Sequence, residues 1–309
     1  VLIFGVETAG GIGAVIHNAS ELPGYLSMTL SYDVNTGNAA PYSALTIVST
    51  AAWGLGYFGM PHILLRFMAI EDEKKLKLSR RVATIWVVIS LFVAVFIGVI
   101  GYTMSKVGAL EMLTGSNSET IIVKISALLS QHGVIFALLA GVILAGILAS
   151  TMSTSDSQLL AASSAVSSDI LGAFRKDSSN KNGSMAAARI TLLVISVVAA
   201  FIARNPDSSV FAIVSFAWAG FGAAFGPVVL FSLFWKRTNK WGALAGMVCG
   251  GSMVFIWKYL IRPLGGIWNI YELLPAFLIA CAAIVIVSLL TPKPSKEIEE
   301  EFDRVAQMK

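Results

Sequence analysis

The sequence predicts an all-α polytopic membrane protein, and its composition is the main reason. Hydrophobic residues make up 56% of the 309 residues, charged residues only 13%, and the mean hydropathy is +0.77. Soluble domains carry about 25% charged residues, so this chain has too few of them to cover a water-exposed surface. The charged residues also fall in short stretches between long apolar runs. Together these features argue against a soluble enzyme, a disulfide scaffold and a disordered chain.

Long apolar runs predict about seven membrane-spanning segments, because a spanning helix needs about 20 apolar residues. They lie at about 42–70, 82–104, 133–164, 187–203, 210–235, 241–260 and 273–290. The runs lack the period-two alternation of strands and are too long for the strands of a barrel. Outside the membrane we expect a polar loop at about 21–41, a short helix at 118–131 and a charged, helical tail at 294–309.

The basic residues predict the orientation of these segments. Seventeen of the 22 Lys and Arg residues lie on one side of the seven predicted spans and five on the other. Cytoplasmic loops carry the excess of basic residues, so we expect a cytoplasmic C-terminus and a multi-pass protein of the plasma membrane. The net charge of +4 comes from these loops, so we expect the lipid bilayer as a partner and no nucleic acid. The chain starts at Val1 inside an apolar phrase, and we expect a preceding part to be missing.

The first apolar run combines aromatic residues with helix breakers. The breakers fall within eight residues: Gly54, Gly56, Gly59 and Pro61. Proline removes a backbone donor and each glycine lowers helix propensity by about 1 kcal/mol, so we expect a helix that is interrupted inside the membrane. Such interruptions are tolerated where the free backbone groups face a cavity or a ligand. Trp53 and Tyr57, four residues apart, would then form a wall for a small organic solute. The alternative is a proline kink with an aromatic packing ridge.

The third run carries a stripe of hydroxyl groups. Its members stand at i, i+3, i+4 and i+7 of a helix: Ser150, Ser153, Thr154 and Ser157. Hydroxyl and carbonyl oxygens suit a hard cation such as sodium. Asp156 lies next to this stripe, where a carboxylate inside a membrane is costly unless it is paired or functional. The alternative is that these hydroxyls bond the carbonyls four residues earlier and that the small side chains allow close helix packing.

No pattern in the sequence indicates an enzyme. The three histidines are widely spaced, and no His, Asp and Ser set or phosphate-binding loop is present in the sequence. We therefore expect no catalytic residues, no ATP-driven transport and no cofactor. Sodium would act as a co-transported ligand.

Three phrases resemble the sodium/solute symporter family, and most of all its sodium/proline symporter branch. They are WGLGYFGMPHILLRFMA from Trp53, ILASTMSTSDSQLLAASSAVSSDI from Ile147 and VSFAWAGFGAAFGPVVLFSLFWKR from Val214. The resemblance runs from about residue 42 to 290. It implies a ten-helix inverted-repeat transporter core made of two five-helix halves, of which this chain would contain the second.

The resemblance also implies an organisation of the chain into four parts. Residues 1–41 would be the end of a preceding helix and an external loop, and 42–235 the second five-helix repeat of the core. Residues 236–291 would form two peripheral transmembrane helices, and 292–309 a cytoplasmic tail.

The functional residues implied by the resemblance lie on the first and third runs. The substrate-binding residues map onto Trp53, Tyr57 and Pro61. Sodium would bind the hydroxyls of Ser153 and Thr154 and the backbone carbonyl of Ser150, with the rest of that site on a core helix outside this sequence. Asp156 and Ser157 mark a second site, for a second cation or a proton; residues at these positions vary within the family.

Met60 is a departure from the branch, whose members have Gln there. If it faces the substrate, the thioether offers no strong hydrogen bond, and we expect a compact, apolar amino acid. The alternative is that Met60 fills space against a neighbouring helix. The predicted function is sodium-coupled uptake of a small amino acid, with proline as the first candidate. The alternatives are symport of another small solute, or a non-transporting membrane sensor built on the same fold.

Overall fold

A computed structural model describes residues 1–34, 36–174, 181–204 and 209–307, and most of these residues are helical. The helices are α1 Leu2–Thr8, α2 Ile12–Ser20, α3 Ala44–Ala51, α4 Pro61–Met68, α5 Leu76–Lys106, α6 Ile121–Ser130, α7 Val134–Ser164, α8 Leu171–Phe174, α9 Lys181–Ile202, α10 Val210–Phe234, α11 Lys240–Ile256, α12 Leu273–Leu290 and α13 Lys296–Gln307. Two short strands, β1 Leu30–Tyr32 and β2 Ala39–Pro41, pair with each other inside the segment that was predicted to be a loop.

Within the described ranges, the structure contains six helical segments that are long and apolar enough to cross a membrane. They are Leu76–Lys106, Val134–Ile170, Met185–Ile202, Val210–Phe234, Lys240–Leu264 and Leu273–Leu290. These segments coincide with the second to seventh predicted spans and confirm the all-α polytopic fold. The first predicted span is present as shorter pieces, because the helix is interrupted between α3 and α4. The short helix predicted at 118–131 and the helical tail are α6 and α13.

The chain divides into two compact units. The first unit comprises Val1–Leu26, Tyr32–Ala39 and Ile70–Val210, and the second comprises Ser27–Ser31, Ala40–Ala69 and Phe211–Lys309. In the first unit α1, α2 and α6 pack on α5, around a buried apolar cluster. Its members are Ala9, Val15, Ile100, Met104 and Ile125. The second unit has a separate cluster beside the interrupted helix, which is described with the candidate site below.

A glycine stripe on α11 allows close packing against α12 in the second unit. A Cβ atom added to Gly242 would lie 1.9 Å from the Ser288 hydroxyl oxygen. One added to Gly246 would lie 2.4 Å from Cγ1 of Ile284. Glycines four residues apart are a common way for membrane helices to approach each other, because no side chain separates the backbones. The spacing of these residues therefore fixes which face of α11 meets α12.

The same stripe continues to Gly250, which packs against α10. Pro227 lies inside α10 and has no N–H group, so the carbonyl of Ala223, four residues earlier, lacks its usual helical donor. A Cβ atom added to Gly250 would lie 2.2 Å from that carbonyl oxygen. The absence of a side chain at Gly250 thus lets α11 lie directly against the backbone of α10 near its proline.

The connection between α10 and α11 is bonded to the end of α12. The Asn239 side chain caps α11 by accepting a hydrogen bond from the Gly242 N–H at 2.9 Å. Its Nδ2 donates to the Thr291 hydroxyl at 2.7 Å and to the Pro292 carbonyl at 2.8 Å. Arg237 Nη2 donates to the Thr291 carbonyl at 2.8 Å. Because the last carbonyls of a helix have no internal partner, these bonds stabilise the C-terminal end of α12.

Candidate functional site

The interrupted helix of the second unit consists of α3, a 3-10 segment at Ala52–Gly59, and α4. Met60 separates the last two pieces, with an extended backbone at φ −85° and ψ 112°. Pro61 is the first residue of α4, a position where its missing N–H costs no helical hydrogen bond. The interruption that the glycines and the proline predict is therefore confirmed, and it lies directly before Pro61.

Glycines bring this 3-10 segment into backbone contact with α10. A Cβ atom added to Gly59 would lie 2.3 Å from the Phe221 carbonyl oxygen, and one added to Gly222 would lie 2.7 Å from Cα of Gly56. Side chains at these positions would separate the two elements, since Cβ contacts below about 3 Å are not sustained in proteins. The glycines that break the helix thus have a second role, which is to allow the 3-10 segment to pack closely against α10.

Two aromatic residues of the segment and three from outside it contact one another, and we call them the aromatic cluster: Trp53, Tyr57, Phe211, Trp218 and Tyr271. The Trp53 ring is stacked with Phe211 and Trp218, both at 5.6 Å between centroids, and with Tyr271 at 5.9 Å. The Tyr57 ring meets Trp218 edge-on at 4.8 Å and is 51% exposed. Stacked and edge-on aromatic pairs favour each other beyond the apolar area they bury.

Trp218 makes a polar contact with the segment as well. Its indole Nε1 donates to the Trp53 backbone carbonyl at 3.0 Å. Sequence reasoning identified Trp53 and Tyr57 but missed the other three members of the cluster. Trp218 lies 165 residues from Trp53, and no local spacing rule connects residues that far apart.

Met60 packs into the apolar cluster of the second unit. It is 7% exposed and belongs to a buried group with Trp218, Leu273 and Phe277. Its side chain packs against residues of α10 and α12. Pro61 is exposed at the start of α4.

The hydroxyl stripe lies on α7, in the first unit. The Thr154 hydroxyl donates to the Ser150 carbonyl at 3.4 Å, and the Ser157 hydroxyl donates to the Ser153 carbonyl at 3.0 Å. Serine and threonine side chains in helices commonly make such bonds to the carbonyl four residues earlier. The bonds are therefore expected whether the stripe binds an ion or only packs. Each hydroxyl still keeps acceptor lone pairs, so the stripe presents oxygen ligands even with these bonds made. Asp156 is exposed beside it.

The model of the sodium:solute symporter family matches residues 1–250. The chain belongs to the sodium:solute symporter family. This confirms the resemblance carried by the three phrases around Trp53, Ile147 and Val214. Among its described residues the chain also has six helices that are long and apolar enough to cross a membrane. Together with its family, this makes the chain part of a multi-pass membrane protein.

Several relatives in this family are named as proline transporters. The chain is 41% identical over 262 residues to the sodium/proline symporter of Haemophilus influenzae, covering 84% of this chain and 51% of the relative. It is 39% identical over 254 residues to the osmoregulated proline transporter OpuE of Bacillus subtilis, covering 82% and 50%. It is also 39% identical over 259 residues to the sodium/proline symporter of Escherichia coli, covering 84% and 50%. The chain spans about half the length of the relatives it matches.

Proposed function

We propose that this chain is part of a sodium-coupled symporter that takes up a small amino acid, with proline as the first candidate substrate. The observation that carries the proposal is the interrupted helix, which places Trp53 and Tyr57 beside a break in a membrane segment. Family membership and the names of the relatives support the same conclusion. Interrupted membrane helices in transporters occur where the backbone faces a substrate or an ion.

The proposed substrate-binding residues are Trp53, Tyr57, Met60 and Pro61. The half-exposed ring of Tyr57 offers a flat apolar face to a compact solute, and the partly exposed Trp53 lies in the same aromatic cluster. An aromatic face also attracts a cationic ammonium group. Met60 and Pro61 contribute the break itself, Met60 through its extended backbone and its packed side chain. An apolar wall discriminates between substrates by about 1–3 kcal/mol per methylene. Alanine and small branched amino acids would therefore bind, but would compete less strongly than proline itself.

The proposed sodium ligands are the hydroxyls of Ser153 and Thr154 and the backbone carbonyl of Ser150. The Thr154 hydroxyl bond to Ser150 is long, at 3.4 Å, so little would be lost if that hydroxyl turned towards an ion. Asp156 and Ser157 would provide a second cation site or carry a proton. Sodium tightens substrate binding only by favouring the state that binds substrate better, so substrate must tighten sodium binding by the same factor.

The distribution of basic residues supports the orientation that we propose for the chain in the plasma membrane. The C-terminal helix α13 and the loop after α4 would be cytoplasmic, and the connection between α11 and α12 would be external. Residues 42–235 would form the second repeat of the transporter core, and α11 and α12 two helices outside it.

The test is uptake of radiolabelled amino acids by the full-length protein in proteoliposomes, with and without an inward sodium gradient. We expect proline to accumulate only with the gradient, and unlabelled alanine to compete less strongly than unlabelled proline. Competition by glutamine or sialic acid without competition by proline would contradict the choice of substrate. Equilibrium binding of proline that does not change with sodium would remove sodium as the coupling ion and leave the proton as its replacement. Binding without uptake would indicate the sensor.

A further inference from the structure

Tyr271 precedes α12 and contacts three different parts of the second unit. Its backbone N–H donates to the Ser49 hydroxyl of α3 at 3.1 Å. Its ring stacks on Trp53 of the 3-10 segment, with 5.9 Å between centroids and 16° between planes. Its hydroxyl donates to the Ser215 carbonyl of α10 at 2.6 Å. Tyr271, from the connection between α11 and α12, thus forms hydrogen bonds with both the interrupted helix and α10.

The connection that contains Tyr271 is itself held by ion pairs to one buried carboxylate. The adjacent Glu272 has a side chain only 2% exposed, and it pairs with Arg262 at 2.8 Å and with Lys258 at 3.9 Å. Arg262 Nε also donates to the Asn269 side chain at 3.1 Å. A buried carboxylate is costly unless it is paired, so these contacts favour one conformation of the connection.

The next residue completes the attachment. Leu273 is fully buried in the apolar cluster, and its Cδ1 would lie 2.9 Å from a Cβ atom added to Gly222. Residues 271–273 therefore place an aromatic ring on Trp53, a paired carboxylate in the interior, and an apolar side chain on the glycine face of α10. The resemblance predicted that α11 and α12 lie outside the core; the contacts show that their connection reaches the interrupted helix.

We propose that Tyr271 is a positioning residue for the substrate site, through which the α11–α12 connection sets the place of the Trp53 ring. This inference rests on the proposed role of Trp53 in substrate binding. Tyr271 does not need to touch the substrate. It holds the Trp53 ring, which would touch the substrate, and it links α3 to α10. The substrate then meets a site whose geometry is already formed.

Three substitutions in the full-length protein separate this role from a purely structural one. Tyr271→Phe keeps the ring stacked on Trp53 and removes the bond to the Ser215 carbonyl. Tyr271→Ala removes both. Tyr259→Phe is the matched control. Tyr259 is 61% exposed, and its ring makes an edge-on contact with Phe216 at 6.0 Å between centroids. Proline uptake is measured as KM and as Vmax per amount of protein in the membrane.

We expect the KM for proline to rise about fivefold in Tyr271→Phe, the factor that corresponds to one hydrogen bond, and about twentyfold in Tyr271→Ala, where the aromatic contact is lost too. Vmax per amount of protein should stay within about twofold of wild type, because the positioned ring acts on binding. Tyr259→Phe should match wild type. A fall in Vmax or protein amount with an unchanged KM would overturn the proposal, because it would show that Tyr271 only supports folding.

A second measurement does not depend on transport. Cys249 and Cys281 are replaced by Ser, a single cysteine is introduced as Ala52→Cys next to Trp53, where the parent side chain is only 4% exposed, and the purified protein is labelled with N-ethylmaleimide. We expect about tenfold faster labelling in Tyr271→Ala than in its Tyr271 parent, because local opening exposes the segment. If the wild type does not transport proline, the proposed function fails, and the labelling rates then test whether Tyr271 holds the segment that contains Trp53, which is the structural part of this inference. Equal labelling rates would overturn it.

Discussion

The indole Nε1 of Trp218 donates a hydrogen bond to the backbone carbonyl of Trp53 across 3.0 Å. The bond joins α10 to the 3-10 segment, where the interrupted helix departs from α-helical hydrogen bonding. Inside a membrane an unpaired carbonyl costs several kcal/mol, so a partner from another helix helps to make the interruption tolerable. The same two rings are stacked at 5.6 Å, so one side chain supplies both the donor and the packing surface.

Trp218→Phe should keep the packing surface and remove the donor. We expect the free energy of unfolding to fall by about 1 kcal/mol, because the Trp53 carbonyl loses the hydrogen bond from Trp218, and the KM for proline to rise. The measurements are thermal unfolding of the purified protein and uptake kinetics. Trp241→Phe, at a site that is 51% exposed, is the control. Equal effects of the two substitutions would show that the hydrogen bond does not support the segment.

Gly59→Ala should damage the contact between the 3-10 segment and α10. The added Cβ would lie 2.3 Å from the Phe221 carbonyl oxygen, so the two backbones must separate, at a cost of about 1–3 kcal/mol. Gly54→Ala is a matched control, because no described atom of another element lies within 4 Å of a Cβ added there. We expect a lower melting temperature and reduced uptake in Gly59→Ala and near wild-type values in Gly54→Ala. Similar losses in both would point to backbone flexibility as the reason for these glycines.

The sequence predicts the membrane segments well because they depend on local composition. The last span, 273–290, has the bounds of α12, since a continuous apolar run ends on both sides at polar or turn residues. The interruption before Pro61 is likewise a local consequence of glycine and proline. By contrast, the two strands within 21–41 carry no apolar alternation and were missed.

Contacts between distant residues could not be predicted from the sequence. Tyr271 meets Ser49 across 222 residues, and the burial of Glu272 depends on where Lys258 and Arg262 come to lie. For the hydroxyl stripe, the sequence left two interpretations open. Its spacing predicts one helical face and leaves open whether the hydroxyls bond carbonyls four residues earlier, and the structure shows these bonds for Thr154 and Ser157.

Loss of a hydroxyl from the proposed sodium site should raise the sodium requirement of transport. In Ser153→Ala and Thr154→Ala we expect the sodium concentration for half-maximal uptake to rise about fivefold or more, the factor for one lost ligand contact. Thr154→Ser should restore the wild-type value because it keeps the oxygen. Ser155→Ala, whose hydroxyl bonds the Thr151 carbonyl away from the stripe, is the control. Wild-type sodium dependence in both alanine variants would make the stripe a packing surface.

Asn239→Asp should separate the helix-capping role of Asn239 from its bonds to α12. The carboxylate still accepts from the Gly242 N–H, but it cannot donate to Thr291 and Pro292. We expect a loss of about 1–2 kcal/mol in Asn239→Asp and about 1 kcal/mol more in Asn239→Ala, where the cap is lost as well. Thermal unfolding measures both, with Asn117→Asp at an exposed site as the control. A wild-type melting temperature in Asn239→Asp would mean that the bonds to α12 do not stabilise the protein.

The ion pair between Glu21 and Lys106 should make part of the stability of the first unit depend on pH. The hydrogen bond from Lys106, and then its charge, hold the pKa of Glu21 below its ordinary value of 4.5. A lowered folded-state pKa adds stability that is present above pH 4.5 and lost as the pH falls through the lowered pKa. Glu21→Gln should therefore lower the melting temperature at pH 7, with a small effect because the pair is exposed, and the difference from wild type should shrink as the pH falls below 4.5. Glu7→Gln, at an exposed site on α1, is the control. A difference between wild type and Glu21→Gln that stays constant as the pH falls below 4.5 would assign the effect of Glu21 to packing instead of charge.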